Sequence, residues 1–394
     1  MKITVPTIDF GTSKIVTMVA QSNGERCDIV GSGAVPYSGY LQDGWNNPDE
    51  IRDVIRTAID QAQKTGNCRI HELNVGVPGM FTRVIVKEVH VSLTGPDPHV
   101  TAQDVRACFK LAEESGGDRI IHSAPAWFRV DDGKKTLSPV GIKGRELSAM
   151  IALVTADKYF IDDITYRLRD MDIEPREFYS TVAGEATYAL SQDERDKTAM
   201  LIDIGYLCTD VMVMEGDALI FHNCLDIGGG HISADIAEQL NIPFPFVEEK
   251  IKQTYSFNST NQDETYVIPA TEDEPARTVR RDEVTPIIEA KVEEIAEAIN
   301  KALEEGGVKL GKWSNVYLTG GGLILNKGGK DFLAGKLHRI IREAQRTNNK
   351  MTSHVFSSAV GLTILVVTTQ EEQKAPEGGA KGLFSRAFRW LMGY

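Results

Sequence analysis

The sequence predicts an α/β protein of two related lobes, and three observations carry that prediction. A segment near the start, "TIDFGTSKIVTMVA" from Thr7, returns as "LIDIGYLCTDVMVME" from Leu201. Each copy reads as a β-rich run, an Asp-x-Gly turn and a second β-rich run, the pattern of a hairpin, and two such hairpins so far apart imply two related lobes. Helical periods form the second observation. In "PDEIRDVIRTAIDQAQKTG" from Pro48, the residues Ile51, Val54, Ile55, Ala58, Ile59 and Ala62 share one face, with Asp49 placed to cap the helix and Gly66 to stop it. A further helix, "PIIEAKVEEIAEAINKALEEGG" from Pro286, shows the same period with Pro at its start and Gly-Gly at its end. The third observation is a glycine cluster, "VYLTGGGLILNKGG" from Val316, which sets Gly320, Gly321 and Gly322 directly after a strand. Strands joined with long helices give the α/β class.

At 394 residues the chain is too long for one ordinary core, and an apolar content of 42% suffices for about two to four domains. The 5 cysteines stand far apart with no CxxC pair, which argues against a zinc site or a disulfide framework and fits a reducing cytoplasm. No signal peptide opens the chain, and its longest apolar run, "AVGLTILVV" from Ala359, is too short to span a bilayer. A net charge of −13 disfavours nucleic acid as a partner, since phosphate binding needs clustered Lys and Arg.

Two stretches read as irregular: "NSTNQDETYVIPATEDEPARTVRRDE" from Asn258 as a surface excursion, and "QEEQKAPEGGA" from Gln370 as a flexible linker. The last residues, "KGLFSRAFRWLMGY", are then an appendage with a distinct chemistry. Wound as a helix, they place Leu383, Phe384, Ala387, Phe388, Trp390 and Leu391 on one side and Ser385, Arg386 and Arg389 on the other. A purely basic polar face opposite an apolar one suits an interfacial helix on anionic lipid. Burying its large apolar side chains gains roughly 8–12 kcal/mol gross, and ordering the segment costs a similar amount. One tail therefore binds weakly, and many tails linked in a polymer bind well.

The glycine turns carry the chemistry. Two facing Asp-x-Gly hairpins can grip a nucleoside triphosphate through backbone N–H groups, with Gly11, Thr12, Ser13 and Lys14 from the first and Gly205 from the second. The Gly320–Gly322 turn floors the base, where bare backbone allows close approach. Asp9 and Asp203 would hold Mg²⁺ through water, as a hard cation that keeps several of its waters. His222 and His231 are expected as core or turn histidines, and Cys208 as a small half-buried apolar residue.

This arrangement resembles that of the actin superfamily, and one branch is much closer: the FtsA family of bacterial cell-division proteins. The resemblance covers nearly the whole chain, through "IDFGTSKI", "GWNNPDEIRDVIRTAIDQAQ", "LNVGVPGMFTR", "PVGIKGRELSAMIALVTA" from Pro139, "LDIGGGHISADIAEQL" from Leu225 and "VEEKIKQTY" from Val247. The Pro139 segment looks like the subdomain, called 1C, that this family carries as an insertion and conventional actins lack. What the resemblance implies is an actin-like two-lobed ATPase fold with an FtsA-type subdomain 1C and a C-terminal amphipathic helix. Subdomain 1A would comprise 1–80, 163–196 and 355–369, subdomain 1C 81–162, subdomain 2A 197–247 and 305–354, and subdomain 2B 248–304. A linker over 370–380 and a membrane helix over 381–394 would complete the chain.

It further implies that Gly228, Gly229, Glu249 and Lys252 join Gly320, Gly321 and Gly322 around the adenosine. The protein would bind ATP with Mg²⁺, polymerise with itself, hold the C-terminal tail of FtsZ through subdomain 2B, and recruit later divisome proteins. It would lie peripherally on the cytoplasmic side of the membrane at the division site. Where many relatives have Gly-Gly-Gly-Thr in the second hairpin, this chain has Gly205, Tyr206, Leu207, Cys208 and Thr209. Any ATP hydrolysis is therefore expected to be slow. No catalytic base is assigned; Glu185 is expected as an exposed helical glutamate. Two alternatives share the fold: a PilM-like platform protein of the type IV pilus and, in a different class, a small-molecule kinase.

Overall fold

Strand β1 (Ile3–Phe10) alternates its side chains between two faces, and the layers around it follow from that alternation. The computed structural model describes residues 3–373 apart from 25, 43, 118, 262, 271–274, 312–313 and 345–352. The tail residues Leu383, Phe384, Arg386, Phe388, Arg389, Trp390 and Leu391 lie outside the described residues. β1 forms an antiparallel hairpin with β2 (Lys14–Ser22), in which Phe10 faces Ile15 and Asp9 faces Val16, and β2 pairs in turn with β3 (Cys27–Pro36). A two-residue ladder of β4 (Tyr40–Leu41) with β5 (Gly44–Trp45) leads to α1 (Ile51–Gly66) and then to β6 (Glu72–Val77).

Ile8, Phe10, Ile15 and Val19 point to one side of this sheet, where Ile51, Ile55, Ala58, Ile59 and Ala62 of α1 cover them. The apolar face read from the sequence is thus the buried face. The caps differ from expectation: Glu50, not Asp49, precedes the helix and makes no side-chain cap bond. The left-handed residue after it is Asn67, with φ of 46°, so Gly66 ends the helix without bending the chain.

The inserted span follows. β7 (Thr82–Ser92), α2 (Ala102–Glu114), β8 (Ile120–Val130) and β9 (Glu146–Ala156) form a three-stranded sheet in the order β7-β9-β8. Helix α2 rests its Val105, Cys108 and Ala112 on Leu147, Ala149, Ile151 and Leu153 of the central strand. Thr101 and Asp104 cap α2 reciprocally. The "PVGIKGREL" segment enters β9 through the Asp131 carboxylate, which accepts the N–H groups of Arg145 and Glu146 at 3.0 and 2.9 Å.

α3 (Lys158–Arg169) returns the chain to β10 (Glu174–Ser180), which completes a five-stranded sheet in the order β10-β6-β1-β2-β3. α4 (Thr181–Ala189), the single turn α5 (Gln192–Arg195) and β11 (Ala199–Ile204) come next. β11 and β12 (Thr209–Glu215) are the neighbouring strands of the second Asp-x-Gly hairpin expected from the sequence, and β12 forms a further hairpin with β13 (Ala218–Leu225). Arg195 is 1% exposed and bonds the carbonyls of Thr187, Leu190 and Gly216 and the Asp217 carboxylate, fixing the hairpin tip.

α6 (Gly229–Gln239), the short α7 (Phe244–Phe246) and a π-helical turn at Val247–Lys252 lead to β14 (Thr265–Ile268) and β15 (Arg277–Arg280). These two strands pair in an antiparallel ladder, so part of the stretch read as an irregular excursion is ordered sheet. α8 (Arg281–Glu305) starts before Pro286, which lies inside it. Two side chains displace that boundary: Glu283 accepts the Arg280 N–H at 2.9 Å, and the buried Arg281 bonds Glu264 at 2.9 Å. β16 (Asn315–Thr319), α9 (Gly329–Leu337) and β17 (Ile341–Glu343) complete the second five-stranded sheet, ordered β13-β12-β11-β16-β17.

Finally α10 (Ser357–Gln373) covers the other side of the first sheet, packing Leu362, Leu365 and Val366 against Val5 and Ala20. Its end at Gln373 carries helix past Gln370, where the linker was expected to begin. Among the described residues no helix is long and apolar enough to cross a membrane. The chain divides into two compact units, Met1–Met200 with Met212–His222 and Gln345–Tyr394, and Leu201–Val211 with Asn223–Ala344.

α4 and α10 cross at two glycines. A Cβ on Gly361 would stand 2.5 Å from the Glu185 Cα, and one on Gly184 would stand 2.9 Å from the Gly361 carbonyl oxygen. Gly361→Ala is accordingly expected to cost about 1–3 kcal/mol of stability through overpacking, read as a lower urea midpoint at unchanged slope. An unshifted midpoint would show that the crossing relaxes freely.

Candidate functional site

Both Asp-x-Gly turns close in the same way. In the first, the Gly11 N–H donates to the Lys14 carbonyl at 3.1 Å; in the second, the Gly205 N–H donates to the Cys208 carbonyl at 2.9 Å. The echo in the sequence is therefore an echo of backbone geometry. Each of these two glycine N–H groups is engaged within its own turn, so Gly11 and Gly205 shape the loops.

In the first unit, Asp9 sits on the face of β1 that α4 and α10 cover, and it is 3% exposed. Ser358 at the start of α10 donates to its Oδ2 at 2.8 Å, and Thr181 of α4 lies 3.4 Å from its Oδ1. Burial pushes the Asp9 carboxyl above the usual aspartate range, against the Ser358 hydrogen bond and the Lys14 charge, which pull it down. A cation brought near would favour the ionised form. Thr12 is buried, and Ser13 and Lys14 are half-buried, with the Lys14 ammonium 5.4 Å above the Phe356 ring. Two tyrosines that the sequence reading passed over hold this turn: the Tyr37 hydroxyl donates to the Gly11 carbonyl at 2.7 Å, and that of Tyr40 to the Phe10 carbonyl at 3.0 Å.

Glu185 is not exposed. It is 1% accessible, because α10 covers α4 and buries Thr181 through Ala186. The expectation of a solvated glutamate fails because the residues around it, small and mostly apolar, make α4 an interior helix.

In the second unit, three glycine segments far apart in sequence meet at one turn. The Gly229 N–H donates to the Gly205 carbonyl at 2.9 Å, that of Gly230 to Tyr206 at 2.7 Å, and that of Gly322 to Ile204 at 2.7 Å. No side chain fits between them. A Cβ on Gly322 would stand 2.4 Å from the Gly205 carbonyl oxygen, and one on Gly229 would stand 2.4 Å from the Gly322 Cα. Gly320 has a φ of 88°, and its Cβ would strike the Asp203 carboxylate at 2.0 Å. Gly228 donates its N–H to His231 Nδ1 at 3.0 Å, which makes His231 a turn residue.

Lys252 reaches this cluster. The Lys252 ammonium lies 5.7 Å from the Tyr206 ring centroid and pairs with Glu248 at 3.3 Å, whereas Glu249 is exposed. Burial draws the Lys252 ammonium below the usual lysine range, and the Glu248 charge offsets part of that. Asn326, another residue without a sequence signal, ties the region together by donating to the Lys252 and Tyr255 carbonyls at 2.6 and 3.1 Å. The Tyr206 ring packs on Gly230, whose Cβ would stand 3.0 Å from the ring's Cζ.

Taken by itself, each unit carries groups of the kind that suit a nucleotide: the first has a buried carboxylate beside two hydroxyls and an ammonium, and the second has a floor of glycines with a carboxylate and a lysine at its margin.

The model of the family described as "Cell division protein FtsA" matches residues 200–361, and that described as "SHS2 domain inserted in FTSA" matches residues 79–155. The "Cell division protein FtsA" of Pseudomonas aeruginosa is 24% identical over 98% of this chain and 97% of its own length. That of Bacillus subtilis is 26% identical over 76% of this chain and 70% of its own. Among solved structures, a chain of the PilM-PilN type IV pilus biogenesis complex matches with a TM-score of 0.62 at 17% identity, covering 93% of this chain and 99% of that one. MreB5 of Spiroplasma citri bound to ADP matches with a TM-score of 0.55 at 11% identity, covering 95% and 99%. These two likenesses establish the actin-like fold.

Gly320→Ala forces a left-handed backbone onto a residue with a Cβ, at about 1–3 kcal/mol, and adds the clash with Asp203. A lowered melting temperature of the variant is the expected outcome, and an unchanged one would mean that the three-segment junction is looser than described.

Proposed function

We propose, from the premise that this chain belongs to the FtsA family of cell-division proteins, that it is an ATP-binding adaptor that polymerises like actin and tethers FtsZ filaments to the membrane. The observation that supports the reading is the inserted sheet of β7, β8 and β9 with α2, which coincides with the match to the SHS2 domain inserted in FtsA. On this subdomain Val140 and Ile142 are 43% and 40% exposed, an apolar pair suited to contact with the next subunit of a filament. FtsZ would engage subdomain 2B by its C-terminal tail, and later divisome proteins would follow. A PilM-like role rests on fold likeness alone and is not favoured. The kinase alternative lacks any assigned base.

Mg-ATP would be held by both hairpin turns, with Thr12, Ser13 and Lys14 at the phosphates, Asp9 and Asp203 toward Mg²⁺ through water, and Gly228, Gly229, Lys252 and Gly320–Gly322 beside the adenosine. Slow turnover follows from Tyr206 and Leu207, bulky where many relatives keep glycine, because hydrolysis needs a poised water and a close second loop. Asp9→Ala and Gly321→Arg should each remove ATP binding and lipid-bound filaments, whereas glycine at Tyr206 and Leu207 should raise hydrolysis more than affinity. A wild-type rate above about 1 s⁻¹, typical of metabolic enzymes, would refute this reading of the nucleotide's role.

The membrane anchor is proposed to be the final residues, with Leu383, Phe384, Phe388, Trp390 and Leu391 entering the acyl boundary and Arg386 and Arg389 facing anionic headgroups. Liposome co-sedimentation with and without ATP and FtsZ, on intact protein and on a chain ending at Gly379, tests anchor, nucleotide and partner together. Phe388→Glu or Trp390→Glu should abolish sedimentation with anionic liposomes and leave FtsZ binding intact; unchanged sedimentation would exclude the tail as the anchor.

A further inference from the structure

Cys208 precedes β12 and Cys224 lies near the end of β13, and the fold brings their thiols together with the Asp210 carboxylate. One ligand atom from each, two Sγ and a carboxylate oxygen, all lie within 4.8 Å of one another. Hydrogen bonds join the Cys224 thiol to both Cys208 and Asp210. Cys208 is buried, and Asp210 and Cys224 are half-buried. No CxxC spacing announces it, because the residues come from two strands.

We propose that Cys208, Asp210 and Cys224 form a binding site for a thiophilic divalent ion of the zinc class. A tetrahedral ion with Zn–S bonds of about 2.3 Å sets its sulfurs about 3.8 Å apart. The three atoms need to draw in by only about 1 Å from their outer limit to meet that geometry, a movement within the range of side-chain rotation. Two thiolates and a carboxylate make a soft, anionic set that disfavours Mg²⁺ and Ca²⁺, which take oxygen ligands. The site is thus chemically separate from Asp9 and Asp203. Three protein ligands would leave such an ion a fourth position for water, as in three-ligand zinc sites. The carboxylate also sets the group apart from a simple dithiol, in which a third ligand has no part.

Binding would release the thiol protons and brace the second turn. The Cys208 carbonyl closes that turn by accepting the Gly205 N–H, and the next residue, Thr209, donates its hydroxyl to the Ile227 carbonyl at 2.6 Å. An ion joining Cys208 to Cys224 therefore clamps the strand that leads out of the glycine junction to the strand that leads back into it. The proposal stands whether or not nucleotide occupies that junction.

Cobalt is the test probe. The full chain, chelator-treated and kept reduced without nucleotide, is titrated with Co²⁺, and the near-ultraviolet thiolate charge-transfer band and visible tetrahedral bands are followed. Zn²⁺ affinity is then read by displacement. Expected is a saturable, stoichiometric band in the native chain, with Zn²⁺ binding weakened about tenfold or more by Cys208→Ser, Cys224→Ser or Asp210→Asn. Cys108→Ala, in the core of the inserted sheet, should leave it unchanged. Asp210→Asn keeps both thiols and the shape of the side chain, so it reports on ligation even if a serine variant folds poorly. Absence of a thiolate band in the native chain, or a band that survives both serine substitutions in folded protein, overturns the site. So does a Cys208–Cys224 disulfide in the unreduced chain combined with no cobalt band in the reduced one.

Discussion

The second unit depends on how closely three backbones can approach when none of them carries a Cβ. Ile204, Gly205 and Tyr206 each give a carbonyl to the N–H of a glycine from elsewhere in the chain, Gly322, Gly229 and Gly230 respectively. Main-chain hydrogen bonds of this length leave no room for a side chain, and the would-be Cβ contacts of 2.4 Å at Gly229 and Gly322 state the constraint directly. Because the partners are backbone groups on both sides, the junction fixes position without needing particular side-chain chemistry. It also orients the start of α6 and the end of β16 toward the same turn, which is how residues separated by about a hundred positions come to line one surface.

The first unit builds the same turn by other means. Its Gly11-to-Lys14 closure matches that of Gly205 to Cys208, but hydroxyls surround it in place of glycines: Tyr37 and Tyr40 hold its carbonyls, and Ser358 with Thr181 flank Asp9. Side chains can be exchanged more freely than a backbone junction can be opened. That difference leaves the first turn rich in polar side chains and the second rich in bare backbone, so the two copies of one motif present different chemistry.

Local features were legible in the sequence wherever the chain's own period or conformation decides them. The α1 face, the two hairpins and the strand before Gly320 follow from alternation, from a 3.6-residue period and from glycine's freedom, none of which needs a distant partner. What the sequence left hidden depends on contacts between remote segments. Glu185 looks like a solvent-facing glutamate until α10, from the other end of the chain, is laid over α4. Pro286 looks like a helix start until Arg281 finds Glu264 and carries the helix back beyond it. Cys208 and Cys224 look isolated until two strands bring them together, and Glu248 rather than Glu249 meets Lys252 because the turn there is π-helical and shifts which side chains share a face.

Lys252 shows where stability and placement part company. The residue is almost wholly buried, at 9% exposure, and the neighbours of its ammonium are a half-buried Glu248 and the face of Tyr206. Removing an ammonium from water costs several kcal/mol, and one imperfectly buried carboxylate repays that only in part. The lowered proton affinity of Lys252 is the same imbalance expressed as a pKa direction. An apolar side chain of similar length would pack here at less cost, with no charge to desolvate. Stability alone therefore does not explain a lysine at this position. Its location does: it stands at the edge of the glycine junction, where an anionic or hydrogen-bonding ligand would supply the partner that the protein by itself gives only in part.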